Sequence, residues 1–343
     1  MRLGSGRGRC REHGDGRTQE PGLSSGDGTA SGPSIVGVDL GGTKILARMV
    51  DPATGRAKGR RKVPTPSDGP KAVLDAIADV VLGLDGSSEA EAVGIGVPGM
   101  VVEHSTVLRC ANIAGWDDPI DVGAELSAAI GLPVVVGNDV DCGALAEHRM
   151  GAGAGVDDLA AVFVGTGVGG GLIQGGRLTT GARGLVGEVG HLTVVPGGHP
   201  CGCGGRGHLE AYAGRAGIER RARELAAEGR RNLLADLAGT GSVRSRHLAK
   251  ALDEGDDVAI EIMTEAADAL ALVIGNLSTL LDLQRVVLGG GVVDKLGQSF
   301  VDQIVGSPHF GGFGPEMCEL RLAERLDDAG VVGAAMLAVD RFG

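Results

Sequence analysis

Apolar residues first gather in Ile35-Val36-Gly37-Val38-Asp39-Leu40, a run closed by Gly41-Gly42-Thr43. The pattern predicts a strand, a tight turn and a second strand over 45–50. Ala72, Val73, Ala76, Ile77 and Val80 recur at helical spacing, so a helix is expected over 70–82. The runs 93–97 and 134–137 are short and apolar throughout, as strands buried in a parallel sheet are. A further strand, turn and strand are expected over 159–165 and 170–174, long helices over 210–228 and 256–281, and a strand over 285–288 that runs into Gly289-Gly290-Gly291. Strands mixed with helices along the whole chain predict an α/β protein. Two strand–turn–strand units echo each other, Val38-Asp39-Leu40-Gly41-Gly42-Thr43 and Val162-Phe163-Val164-Gly165-Thr166-Gly167. The echo predicts two similar lobes facing each other across a cleft.

Composition adds three constraints. Glycine supplies 63 of 343 residues while aromatics make up 2%, so small residues must do much of the packing. A net charge of −12 argues against a nucleic-acid surface, which needs clustered cations. The longest uncharged apolar-rich run, 269–281, is too short to span a bilayer. Cys10, Cys110, Cys142, Cys201, Cys203 and Cys318 are sparse and irregular, which fits reduced thiols in a cytoplasmic protein. Residues 1–33 hold almost no large apolar side chain and are expected to be disordered.

The glycine turns carry the first chemical signal. Gly94-Ile95-Gly96-Val97-Pro98-Gly99 and Gly165-Thr166-Gly167-Val168-Gly169-Gly170 fit the spacing of a dinucleotide-binding turn. That reading requires a helix to start at the turn, and strands are expected instead. Gly41-Gly42-Thr43-Lys44 lacks the spacing of a Walker loop. Each turn is either a plain tight hairpin or a hairpin whose exposed N–H groups meet a phosphate. Thr43 and Thr166 would add hydroxyl donors, and Asp39 would hold Mg²⁺ through water.

Asn138-Asp139 closes an apolar strand, where α/β sheets place their ligands. Asp139 suits a base that takes the proton of a sugar hydroxyl during phosphoryl transfer, and the pair equally suits a helix cap. Gly187-Glu188-Val189-Gly190-His191 precedes Cys201-Gly202-Cys203-Gly204-Gly205-Arg206-Gly207-His208-Leu209-Glu210. His191, Cys201, Cys203 and His208 offer two imidazoles and two sulfurs, a donor set for tetrahedral Zn²⁺ or ordinary loop thiols beside histidines.

Taken jointly, these motifs, with Leu288-Gly289-Gly290-Gly291-Val292, resemble the ROK family (repressors, open reading frames and kinases) over about 35–339. The resemblance implies a two-lobed, actin-like, ribonuclease H-like fold with a nucleotide and sugar cleft between lobes. It implies a small lobe over 34–149 completed by a helix over 327–343, and a large lobe over 150–326. ATP phosphates would meet Gly41, Gly42, Thr43, Lys44, Gly165, Thr166, Gly167 and Gly169, with Gly289, Gly290 and Gly291 under the adenosine. Asp139 would be the base, and Asn112, Asn138, Glu188, His191 and Glu210 would bind the hexose. Zinc would be structural, Mg²⁺ would travel with ATP, and the chain would form a homodimer or homotetramer without nucleic-acid or membrane partners.

Two positions depart from the family pattern. His208 stands where a third cysteine is usual, and Val140-Asp141-Cys142 follows Asp139, with Asp141 expected to face solvent. The expected activity is ATP-dependent phosphorylation of a hexose at its 6-hydroxyl, glucose first, with N-acetylmannosamine, N-acetylglucosamine and fructose as alternatives. A sugar-responsive repressor would need a helix-turn-helix module before the first glycine turn, where none is expected. A non-catalytic sugar binder would be expected to have lost Asp139 or a phosphate turn.

Overall fold

β1 (Ser34–Leu40) turns at Gly41 into antiparallel β2 (Lys44–Asp51), which pairs with the edge strand β3 (Arg56–Pro64). α1 (Pro70–Leu82) opens on a proline, whose missing N–H costs nothing in a first turn, and buries Val73, Ile77 and Val81. β4 (Ala90–Val97) lies parallel to β1, and a small antiparallel sheet follows from β5 (Met100–Val102), β6 (Thr106–Arg109) and β7 (Ile120–Asp121). α2 (Val122–Ile130) leads to β8 (Val134–Asn138), parallel to β4, and to α3 (Asp139–Met150).

The second sheet repeats the plan. β9 (Leu159–Val164), β10 (Val168–Gln174) and β11 (Arg177–Thr179) form an antiparallel meander. α4 (Glu210–Ala213), α5 (Arg215–Ala227), α6 (Leu233–Ala238), α7 (Ser245–Asp253) and α8 (Asp257–Leu281) precede β12 (Arg285–Gly289), which lies parallel to β9. α9 (Val293–Leu296), α10 (Gln298–Gly306), β13 (Glu319–Leu322) and α11 (Ala329–Phe342) complete the chain. The strand orders are β3-β2-β1-β4-β8 and β11-β10-β9-β12-β13. The echo in the sequence is therefore a repeated topology, a meander whose first strand is extended by parallel neighbours. The computed structural model describes residues 34–110, 113–311, 318–324 and 328–343. The expectations for residues 1–33 and for Asn112 lie outside these.

Three cores hold the layers together. One joins the first sheet to α1 and α2 through Val38, Ile45, Ile77, Ile95 and Leu126. Another gathers Val162, Leu209, Ile218, Leu270 and Leu288 around α8. The third sets α3 and α11 between the sheets, with Leu145, Leu159, Val287, Val332 and Leu337. Here glycine content becomes packing: a Cβ on Gly37 or Gly94 would strike the backbone carbonyls of Val331 and Ala334 in α11. Helix backbone lies directly on strand backbone, which a chain built from bulkier residues would forbid.

The helix expected over 210–228 is two helices, α4 and α5. Gly214 between them is extended (φ −67, ψ 139). The break lets the Arg215 and Ala216 amides donate to Gly165 O and Thr166 O at 3.1 and 3.0 Å. Apolar periodicity carries no trace of such a competing hydrogen bond.

Candidate active site

Asn138 ends β8 with extended backbone and caps α3, its Oδ1 accepting from the amides of Val140 (2.8 Å) and Asp141 (3.2 Å). Its Nδ2 donates to Gly99 O at 3.1 Å, which ties down the Pro98–Gly99 turn. Asn138 is thus both a cap and a wall residue. The cap places Asp139 at the C-terminal end of a buried parallel strand, on the wall of a cleft of about 970 Å³. Gly165, Thr166, Gly167, Gly169, Glu188, His191, Glu210 and Gly290 line the same cleft. Burial, then the negative charge of Asp39 and more weakly that of Glu188, push the Asp139 carboxyl up to about 6, against the pull of the Val140 amide. A carboxylate with that proton affinity suits proton acceptance near neutral pH.

The two hairpins differ in their relation to the cleft. In the first, the Gly41 amide donates to Lys44 O at 2.8 Å. Asp39, Gly41, Gly42, Thr43 and Lys44 stand outside the lining, as do Gly289 and Gly291. Asp39 still acts on the site through its charge, and burial raises its own proton affinity while Lys44 opposes the rise. In the second hairpin the Gly165 amide donates to Gly167 O at 2.9 Å, and Thr166 faces the cleft.

The glycines after that turn answer to packing. A Cβ on Gly169 would meet Val140 of α3 at 2.8 Å, and one on Gly170 would meet Val189 at the same distance. One on Gly171 would lie 3.3 Å from Asp141 Oδ1. α3 therefore rests on β10, and this corrects the expectation for Asp141. Its side chain does not face solvent: the residue is 8% exposed, and Oδ1 has no hydrogen-bond partner among the described residues. Burial first, then the charges of Glu188 and Asp139, raise its carboxyl to about 7. The first turn of a helix looks exposed in sequence, and only the close approach of β10 buries it.

Glu210 occupies the cleft wall but is already engaged. Its Oε2 accepts from the Val168 amide at 3.1 Å, and Oε1 lies 3.5 Å from Cys201 Sγ. Glu210 thereby bridges the second hairpin to the cysteine loop. His191 Nε2 is 3.8 Å from Glu188 Oε2, and its Nδ1 is 3.8 Å from Cys201 Sγ. Cys203 Sγ stands 3.2 Å from His208 Nδ1. One ligand atom from each of His191, Cys201, Cys203 and His208 lies within 4.8 Å of every other. A tetrahedral zinc with Zn–S of about 2.3 Å and Zn–N of about 2.0–2.1 Å would separate sulfur from nitrogen by about 3.5 Å. The two pairs straddle that value, so the donor set fits zinc. Burial pushes the Cys201 thiol up to about 11, and a coordinated cation would reverse this.

Three residues near the site were given no role from the sequence. Arg109 reaches the lining from the end of β6. Phe163 lines the cleft and fills the space over Gly143 and Gly289. Arg215 Nη2 donates to Thr166 Oγ1 at 2.7 Å. Phe163 stands in the strand before the second glycine turn, a position that a rare aromatic makes conspicuous. Arg109 and Arg215 are single cations whose place only the tertiary structure sets.

Comparison with known proteins places this geometry. The model of the ROK family matches residues 35–341. A glucokinase of Streptomyces coelicolor is 37% identical over 315 residues, covering 88% of this chain and 96% of its own. An N-acetylmannosamine kinase of Shigella flexneri is 32% identical over 306 residues, covering 89% of this chain and 98% of its own. The crystal structure of a ROK family glucokinase from Streptomyces griseus, in complex with glucose and AMPPNP, superposes with a TM-score of 0.74 at 36% identity, covering 90% of this chain and 99% of that one.

Proposed function

Since this chain belongs to the ROK family and has its two-lobed, actin-like fold, we infer that it is an ATP-dependent glucokinase that forms glucose 6-phosphate. The observation that carries the reading is Asp139, a strand-end carboxylate raised to about 6, in one cleft with the Thr166 hairpin and the Glu188–His191 wall. Asp139 accepts the proton of the sugar 6-hydroxyl as that oxygen attacks the terminal phosphate. Glu188 and His191, with Asn138, Glu210 and Asn112, orient the ring hydroxyls. The hairpins Gly41–Thr43 and Gly165–Gly167, with Lys44 and Gly169, hold the phosphates, and Gly289–Gly291 carry the adenosine. Of the glycine triplet, Gly290 lines the cleft.

Mg²⁺, when bound, neutralises the charge gathering on the transferred phosphate. Asp39 suits it: this half-buried carboxylate repels Asp139, and a cation beside it would relieve the repulsion. Zinc would be held by His191, Cys201, Cys203 and His208. Nδ1 of His191 would then face the metal, leaving Nε2 toward Glu188 and the cleft.

In this reading the small lobe spans 34–149 with 327–343, the large lobe spans 150–326, and the chain works in the cytoplasm as a homodimer or homotetramer. Among the described residues no helix is long and apolar enough to cross a membrane. The test is ADP formation across a panel of hexoses. Glucose should give the highest kcat/KM. A preference for N-acetylmannosamine would move the assignment to the other relative's activity, and ADP formation indifferent to every sugar would overturn it.

A further inference from the structure

We propose that Arg215 is a ligand of the donor nucleotide's terminal phosphates, the cation that the second hairpin carries as Lys44 is carried by the first. The proposal deepens the assignment of the cleft as an ATP site and rests on it. A triphosphate entering this cleft meets three carboxylates, Asp139, Glu188 and Glu210. Among the described residues lining the cleft, Arg109 is the one arginine, there is no lysine, and Arg109 belongs to β6 rather than to the hairpin. The second hairpin thus offers amides and a hydroxyl but no charge of its own.

Arg215 supplies that charge. Its Nη2 donates to Thr166 Oγ1 at 2.7 Å, so Oγ1 acts as acceptor there and its own proton is directed to another partner. The guanidinium keeps four further N–H donors beside a residue of the cleft wall. α5 holds four arginines, and their pairing separates them. Arg221 pairs with Glu224 and Glu261, and Arg223 pairs with Glu219. Arg215 and Arg220 form no ion pair with any described residue, in a chain whose net charge is −12, and of these two it is Arg215 that bonds Thr166 Oγ1. The amides of Arg215 and Ala216 are spent on Gly165 O and Thr166 O, so the side chain and not the helix end meets the anion. A guanidinium fork held by a hydroxyl matches phosphate oxygens in both charge and shape.

The test compares wild type, Arg215→Ala and Arg215→Lys in steady-state kinetics with glucose and MgATP, with ADP and adenosine as inhibitors. Arg215→Ala should raise the KM for MgATP roughly ten- to a hundredfold, as loss of a charge-assisted hydrogen bond does, and leave the KM for glucose within about twofold. ADP inhibition should weaken by the same factor while adenosine inhibition holds, because only ADP carries the phosphates. Arg215→Lys should fall between, and added guanidinium chloride should restore part of the alanine variant's MgATP affinity. If ADP and adenosine weaken alike, Arg215 merely props the hairpin and the proposal falls. If MgATP and ADP bind both variants as they bind wild type, it falls alone. Wild-type protein that binds neither nucleotide would remove the ATP-site reading and this inference with it.

Discussion

The acid limb of the pH–rate profile gives the sharpest test of the cleft. As the proposed base, Asp139 must be ionised to accept the sugar's proton, and its environment raises it from an ordinary carboxylate value to about 6. Burial is the largest cause, and the like charge of Asp39 is next. With a raised proton affinity, the active form is fully populated above about 7 and declines as pH falls through 6. At pH 5 the value of kcat/KM for glucose should be about a tenth of its plateau, since each further unit removes a factor of ten. An unshifted carboxylate would hold the plateau to below about 5. The assay is ADP formation at limiting glucose and MgATP from pH 4.5 to 8.5 at constant ionic strength, with aliquots returned to pH 7.5 to confirm that the enzyme survives. The terminal phosphate of ATP also titrates near 6, so wild type alone does not settle the matter. Asp39→Asn does: it removes a like charge, so the limb must move to lower pH, whereas the substrate's own ionisation stays in place. A flat profile to pH 5, or a limb that Asp39→Asn leaves unmoved, refutes the argument.

Four other outcomes are expected. Asp139→Asn keeps the shape and most hydrogen bonds of the carboxylate, so turnover should fall roughly 10²–10⁴-fold while glucose binding, followed calorimetrically, changes little. Glu188→Ala should act mainly on the KM for glucose, because the contacts proposed for it are made equally in ground and transition states. The purified chain should carry one zinc by elemental analysis, and Cys203→Ser should lose it and also raise the KM for glucose, since His191 belongs to both the metal cluster and the cleft wall. Asp141 is buried with a folded-state value near 7, so it costs stability increasingly as pH rises from about 4 to 7. Asp141→Asn should therefore raise the melting temperature at pH 8, by up to the equivalent of about 4 kcal/mol, and leave it unchanged at pH 4. A gain that is equal at both pH values would show that ionisation of Asp141 is not the cause.

Short-range physics made much of the fold readable. Strands and helices follow from apolar periodicity, as the agreement of α1 with the spacing of Val73, Ile77 and Val80 illustrates. The paired Gly-Thr turns are a local signal, because a tight turn needs its glycines wherever the fold places it. Those two turns foretold the repeated sheet topology. Asp139 was legible too, because an Asn-Asp pair at the end of an apolar strand has few places to go in a parallel sheet.

What stayed hidden depends on distance through space. Nothing in the order of residues says that β10 lies under α3, so Asp141 reads as an exposed helix start and proves buried without a partner for Oδ1. The break at Gly214 answers to carbonyls of a hairpin far back in the chain, and the same contact sets Arg215 on Thr166. Glu210, a sugar ligand by family resemblance, also accepts from the Val168 amide and lies beside Cys201, contacts that no local spacing announces. The sequence by itself determined which candidate residues stand at turns and strand ends, since identity and local spacing suffice for that. Their partners, burial and proton affinities were decided by the tertiary structure alone, because dielectric and charge act across space and not along the chain.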